Sequence, residues 1–163
     1  MRLATPAILL SGLLLSSAFS FASPQGAAPA QALPSEKIFD PSRDAEKDLK
    51  AGIRQAAKEK KRILVDVGGN WCSWCHKLDK LFQSDAEIGK LLKAKYVIVK
   101  VNFSQENDNK ALLSKFPKIS GYPHLFVLDA KGKLLHSQDT GLLETGPAHD
   151  PVKVMDFLKK WAL

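Results

Sequence analysis

Two cysteines, the only ones in the chain, stand two residues apart in Trp71-Cys72-Ser73-Trp74-Cys75-His76. Thiols at that spacing can close a disulfide and release it, or hold a soft metal ion. An apolar, β-branched run from Ile63 to Val67 precedes them, broken by Gly68-Gly69-Asn70; a helical pattern carrying Leu78, Leu81 and Phe82 follows. The pair therefore lies where a strand passes into a helix. Cys72 falls at the helix N-terminus, where unpaired N–H groups and the helix dipole favour negative charge. Cys75 lies one turn deeper. A free thiol titrates near pH ~8.5, and such a setting lowers that value and enriches the attacking thiolate.

Two other chemistries fit the same residues. Cys72-Ser73-Trp74-Cys75-His76 is also Cys-Xaa-Xaa-Cys-His, the attachment pattern of c-type haem, with His76 as the iron ligand. The strand directly before the motif argues against it, as does Met155 being the only methionine after Met1. A thiolate pair with His76 can also bind copper, whereas a closed zinc site wants four ligands and no second cluster supplies them. A lone bridge across two residues adds little stability, so a structural framework is excluded. The expectation is a reactive pair with no metal and no cofactor.

The chain has 163 residues and a formal charge of +7. Its start reads as an export signal: Arg2, then a run of about 14 mostly apolar residues from Ile8 to Phe21, then Ser20 and Ala22 as the small residues of a cleavage site. The run falls short of the ~20 residues that span a bilayer, so an uncleaved anchor is the lesser reading. Residues 1–22 are expected to be the signal, 23–41 a flexible leader rich in Ala, Pro, Gln and Gly, and 42–163 one folded domain. An exported product is periplasmic or secreted. Basic residues are spread along the chain, densest at Lys58 to Arg62, without the aromatic-lined basic face of a nucleic-acid binder.

The elements that must position the pair follow from periodicity. A helix is expected from Ser42 to Arg62, capped by Ser42, with acids in its first turn and the basic run in its last. Strand Ile63–Val67, a helix from Cys72 or Ser73 to Phe82, and a helical piece with Ile88, Leu91 and Leu92 come next. Then come a strand Tyr96–Phe103, a short helix Asn109–Phe116, and strands His124–Asp129 and Lys133–His136 around Ala130-Lys131-Gly132. A closing helix from Asp150 to Trp161 buries Val154, Phe157, Leu158 and Trp161. This order implies an α/β fold with a central mixed sheet and helices on both faces.

Ile63-Leu64-Val65-Asp66 followed by Trp71-Cys72-Ser73-Trp74-Cys75 resembles thioredoxin, over roughly residues 43–163. Within the superfamily the chain resembles the secreted or periplasmic thioredoxin-like proteins most. It departs from thioredoxin in having Ser73-Trp74 for Gly-Pro and Gly68-Gly69-Asn70 for a bulkier approach. The resemblance implies a thiol–disulfide oxidoreductase acting on protein or small-molecule disulfides, recycled by a redox partner. It also implies Cys72 as nucleophile and Cys75 as resolving thiol. Asp66, six residues before Cys72, matches the buried acid that serves the inner cysteine, and burial raises a carboxyl pKa as that role needs. Lys100 matches the lysine near that acid. Pro123 in Gly121-Tyr122-Pro123 matches a cis-proline facing the disulfide, with the Tyr122 backbone open to an extended substrate. Trp71 is expected to pack beside the disulfide and Trp74 to face substrate. His76 and His124, if protonated, can stabilise a thiolate. A monomer without nucleic acid or a stable membrane span is the expected form.

Overall fold

The computed structural model describes residues 37–162 and Met1. The expected signal and most of the expected leader lie outside the described residues. Helix α1 (Ala45–Glu59) leads to strand β1 (Arg62–Gly68), helices α2 (Ser73–Ser84) and α3 (Ala86–Lys95), and strand β2 (Tyr96–Asn102). A single turn, α4 (Lys110–Leu113), precedes the hairpin of β3 (His124–Leu128) and β4 (Leu134–Asp139). A 3₁₀ turn (Thr140–Leu143) and a small hairpin, β5 (Glu144–Thr145) and β6 (Ala148–His149), then lead into α5 (Pro151–Trp161).

The sheet order is β2-β1-β3-β4, with β1 parallel to β2 and antiparallel to β3. It is a mixed sheet covered on both faces, as the element order implies. Alternation sorts the side chains of β1. Ile63, Val65 and Val67 join the core that packs Ala45 and Ala56 of α1, while Leu64 joins the core built with α2, α3 and α5. The second layer closes through Leu78, Ile88, Val154 and Leu158, all fully buried. Burying such side chains stabilises by about 1.5–3 kcal/mol each.

Several boundaries differ from expectation. Asp44 caps α1 in place of Ser42: its carboxylate accepts the N–H groups of Glu46 and Lys47, both at 3.1 Å. Ser42 turns its hydroxyl to Asp40 at 2.7 Å. The helix stops early because Lys60 takes a left-handed conformation (φ 56°), so Arg62 opens β1. The helix expected over 109–116 shrinks to one turn, entered from a left-handed Asn109 (φ 47°) and followed by Pro117, which cannot extend it. The strand expected to end at His136 runs on to Asp139, and the β5–β6 hairpin had no assignment in the sequence.

The packed body also begins before the expected boundary. Phe39, within the stretch read as leader, is buried at 2% exposure. The Asn70 side chain binds it as a neighbouring strand would: Oδ1 accepts the N–H groups of Ile38 and Phe39 at 3.0 Å, and Nδ2 donates to the Phe39 carbonyl at 2.7 Å. A short apolar pair in an Ala/Pro-rich setting carries no periodicity, so only the fold reveals it. Asn70→Ala removes all three bonds and leaves partly buried backbone groups unpaired, which should cost about 1–3 kcal/mol. The shift of the urea midpoint measures it.

Candidate active site

Cys72 caps α2 and is disulfide-bonded to Cys75, with 5.2 Å between their Cα atoms. The cap is local in origin. The Cys72 Sγ and carbonyl both accept the Cys75 N–H, at 3.1 Å each, and the same carbonyl accepts the His76 N–H at 3.2 Å. Both sulfurs are covered, the residues being 5% and 2% exposed, by Phe39 and by the half-buried Ile38, Trp74 and Tyr122. Gly68 forms the floor. A Cβ built there would stand 2.6 Å from the Cys75 sulfur and 2.9 Å from the Phe39 ring, so the disulfide rests on bare backbone.

Asp66 precedes Gly68 by two residues and so shares its face of β1. It is 3% exposed. Its Oδ2 accepts a hydrogen bond from Lys100 Nζ at 2.9 Å, while Oδ1 is buried with no partner among the described residues. Lys100 Nζ also pairs with Asp79 of α2 at 2.7 Å, and it lies 4.9 Å from the centre of the Phe39 ring. One ammonium thus serves two buried carboxylates. Burial pushes the Asp66 carboxyl above its usual range; Lys100 counters this in part and the Asp79 charge adds to it. Burial opposes the charge on Lys100, but the two carboxylates outweigh it and hold its pKa above the ordinary value.

Trp71 is not packed into the core beside the disulfide. It is 59% exposed, its indole donating to the Phe103 carbonyl at 2.7 Å and meeting the Tyr122 ring edge-on at 5.6 Å. Gly69 leaves the space that this indole and the Phe103 carbonyl occupy. Ser73 is exposed, and Trp74 is half-buried with Lys77 Nζ 4.0 Å above its ring. Pro123 is buried and follows a cis peptide bond from Tyr122, whose ring stacks on Phe103 at 4.8 Å. His76 Nε2 meets the Asn70 carbonyl at 2.9 Å. His124 is carried to the far face of the sheet. Its ring lies tilted against Phe126, in the core on the α1 side, bonds the Ser137 hydroxyl, and is held below its usual pKa by burial. Among the described residues, no three His, Cys, Asp or Glu side chains are grouped to hold a metal ion.

The sequence reading missed Phe39, Asn70, Asp79 and His149. Asp79 carries one signal: it lies four residues after Cys75, on the same face of α2. His149 on β6 carries none. It meets the Trp74 ring edge-on at 5.3 Å, its Nε2 lies 4.0 Å from a Glu144 carboxylate oxygen, and neither ring nitrogen has a hydrogen-bond partner among the described residues. Lys77 tethers the β5–β6 hairpin to α2 by donating to the Pro147 carbonyl at 2.7 Å.

With this geometry in place, the sequence profile of thioredoxin-like proteins matches residues 44–130. The chain belongs to the thioredoxin-like family. It is 30% identical over 80 residues to the disulfide bond reductase DsbH of Chlamydia pneumoniae, an overlap of 44% of this chain and 48% of that one. It is 28% identical over 89 residues to the thiol:disulfide interchange protein DsbD of Actinobacillus pleuropneumoniae, covering 54% of this chain and 15% of that one. The chain therefore spans half or less of the length of these curated relatives. Among solved structures, a disulphide isomerase from Xylella fastidiosa superposes with a TM-score of 0.66 at 25% identity, over 80% of this chain and 98% of that one.

Burial, with the Lys77 charge adding to it, lowers the His149 pKa to about 4 from an ordinary 6.5, so the folded protein keeps this imidazole neutral. Between those values the unfolded chain binds the proton and the folded one does not. Stability is therefore full above pH ~6.5 and falls as the pH drops toward ~4. His124 contributes in the same direction. In His149→Leu the stability lost between pH 7 and pH 4.5 should be smaller, but not zero because His124 remains. Urea unfolding at both pH values checks this.

Proposed function

We propose that this thioredoxin-like protein is a thiol–disulfide oxidoreductase that acts outside the cytosol on disulfides of other molecules and is recycled by a partner dithiol or disulfide. The observation that carries the reading is the Cys72–Cys75 disulfide at the start of α2, over the Gly68 backbone, on the sheet face that also holds Asp66 and Lys100.

In the reductive direction the Cys72 thiolate attacks one sulfur of a substrate disulfide. A mixed disulfide forms and the other substrate sulfur leaves as a thiolate, which takes a proton. Cys75 passes its proton to Asp66 and attacks the Cys72 sulfur. The enzyme disulfide closes, and the second substrate thiolate leaves. Two electrons reach the substrate, and the cysteine pair is oxidised. Oxidation of a substrate dithiol is the same path reversed.

Each residue's role follows from its position. The cap at the helix N-terminus favours the Cys72 anion. Asp66, whose proton affinity is raised by burial, is the acceptor for the Cys75 proton, and Lys100 limits the rise. Asp79 shares that lysine, and so tempers how far it limits the rise. The Tyr122 backbone, ahead of Pro123, is the surface for an extended substrate, with Ser73, Trp71 and Trp74 around it. His76 holds the loop at Asn70. The export reading rests on residues 1–22 and predicts a mature chain starting after Ala22, which N-terminal sequencing of the exported protein tests.

Cys75→Ser should accumulate a mixed disulfide through Cys72 with a model protein disulfide, seen as an added mass that dithiothreitol removes; Cys72→Ser should accumulate none. An inert Cys75→Ser protein would end the proposal. Asp66→Asn should slow resolution at pH 7 by about 10²-fold, the scale of a positioned proton acceptor. Lys100→Met removes the charge that lowers the Asp66 pKa, so the inflection of its pH–rate profile should move to higher pH. Stopped-flow Trp fluorescence across pH 5–9 reads both.

A further inference from the structure

The residue before the nucleophile is an exposed indole held in place. Trp71 is 59% exposed, one of the few large apolar side chains, with Met1, Ile98, Leu142 and Val152, that the described residues leave open. The bond to the Phe103 carbonyl and the ring contact with Tyr122 fix its orientation. Beside it opens a cleft of about 570 Å³ lined by Trp71, Phe103, Ser104, Gln105, Glu106 and Asp108. Among the described residues no lysine or arginine lines it, although the chain carries 24 of them against 17 acids. Glu106 and Asp108 are exposed, and neither takes part in an ion pair described for the structure. The Ser104 hydroxyl donates to Glu106 Oε2 at 2.6 Å, which favours its ionised form.

The backbone behind these carboxylates is held by buried or half-buried amides. Asn102 Nδ2 donates to the Asn107 carbonyl at 2.8 Å, Asn109 Nδ2 to the Asn102 carbonyl at 2.7 Å, and Asn107 Nδ2 to the Pro41 carbonyl at 2.9 Å. A ligand entering the cleft therefore meets a fixed aromatic wall and two carboxylates that need not reorganise. An aromatic face with anionic neighbours attracts a cation. An acidic side chain is repelled there, and a purely apolar one leaves the carboxylates unmatched.

We propose that this cleft is a specificity subsite for an arginine or lysine side chain of a polypeptide substrate, next to the disulfide presented to Cys72. Trp71 stacks on the cation, and Glu106 and Asp108 balance its charge. The subsite rests on the oxidoreductase reading, since it selects substrates for that site. It gives a strongly basic protein a local preference opposite to its net charge.

The test uses octapeptides with an intramolecular disulfide, identical except for Arg, Gln or Glu beside the first cysteine. Summed over a cation–π contact and two exposed charge pairs, kcat/KM for the Arg peptide should exceed that for the Glu peptide by about 5- to 30-fold at low salt. The ratio should shrink at 0.5 M NaCl and fall in Glu106→Gln/Asp108→Asn to the share of the cation–π contact, about 2- to 5-fold. Equal rates for the three peptides, a preference for Glu or Gln, or an Arg preference undiminished by the double substitution overturns the subsite. The same peptides with both cysteines replaced by alanine, bound to the oxidised protein and followed by Trp fluorescence, read the cleft without turnover. Selective binding of the Arg peptide with no reduction of any disulfide would retain the subsite and reject the oxidoreductase reading. Turnover without selectivity would do the reverse.

Discussion

A β-strand presents every second side chain to the same face, and in β1 that face carries Leu64, Asp66 and Gly68. The site depends on this alternation. Leu64 anchors the strand in the core with α2, α3 and α5. Asp66 places a buried carboxylate in that layer. Gly68, at the strand's end, supplies the missing side chain that lets the Cys75 sulfur and the Phe39 ring approach the backbone together. A one-residue slip would send Asp66 into the α1 core and put Val67 under the disulfide. Parallel pairing to β2 and antiparallel pairing to β3 hold the register from both sides.

The same face gathers one cation and two anions. Lys100 stands opposite Asp66 in the β1–β2 register, and Asp79 approaches from α2. Isolating either carboxylate from water would be costly, and the shared ammonium offsets that cost for the pair only in part. The remainder falls on Asp66, whose second oxygen has no partner among the described residues and whose proton affinity is raised. The proposed proton transfer from Cys75 draws on that condition.

Two segments far apart in sequence complete the surroundings of the cysteines. Ile38 and Phe39 arrive from the N-terminal side through the Asn70 amide, and the β5–β6 hairpin arrives from the C-terminal side through His149 and Lys77. Phe39 covers the sulfurs directly. His149 backs Trp74, one of the two residues between the cysteines. Both contacts join otherwise peripheral chain to the loop that carries Cys72 and Cys75.

The sequence by itself determined the alternation of helices and strands, the mixed sheet, and the reactive pair at a strand-to-helix junction. Those features rest on local periodicity and on the short spacing of Cys72 and Cys75, which neighbours in the chain impose. Asp66 and Lys100 were legible as well, through the resemblance to thioredoxin that their positions carry. Only the tertiary structure decided that Asp79 shares Lys100, that Phe39 and His149 close around the site, that His124 faces away, and that Trp71 stays in solvent. Each of those is a contact across long sequence separation or a choice between two faces. Such choices are made when the layers pack, and no short stretch of sequence records them.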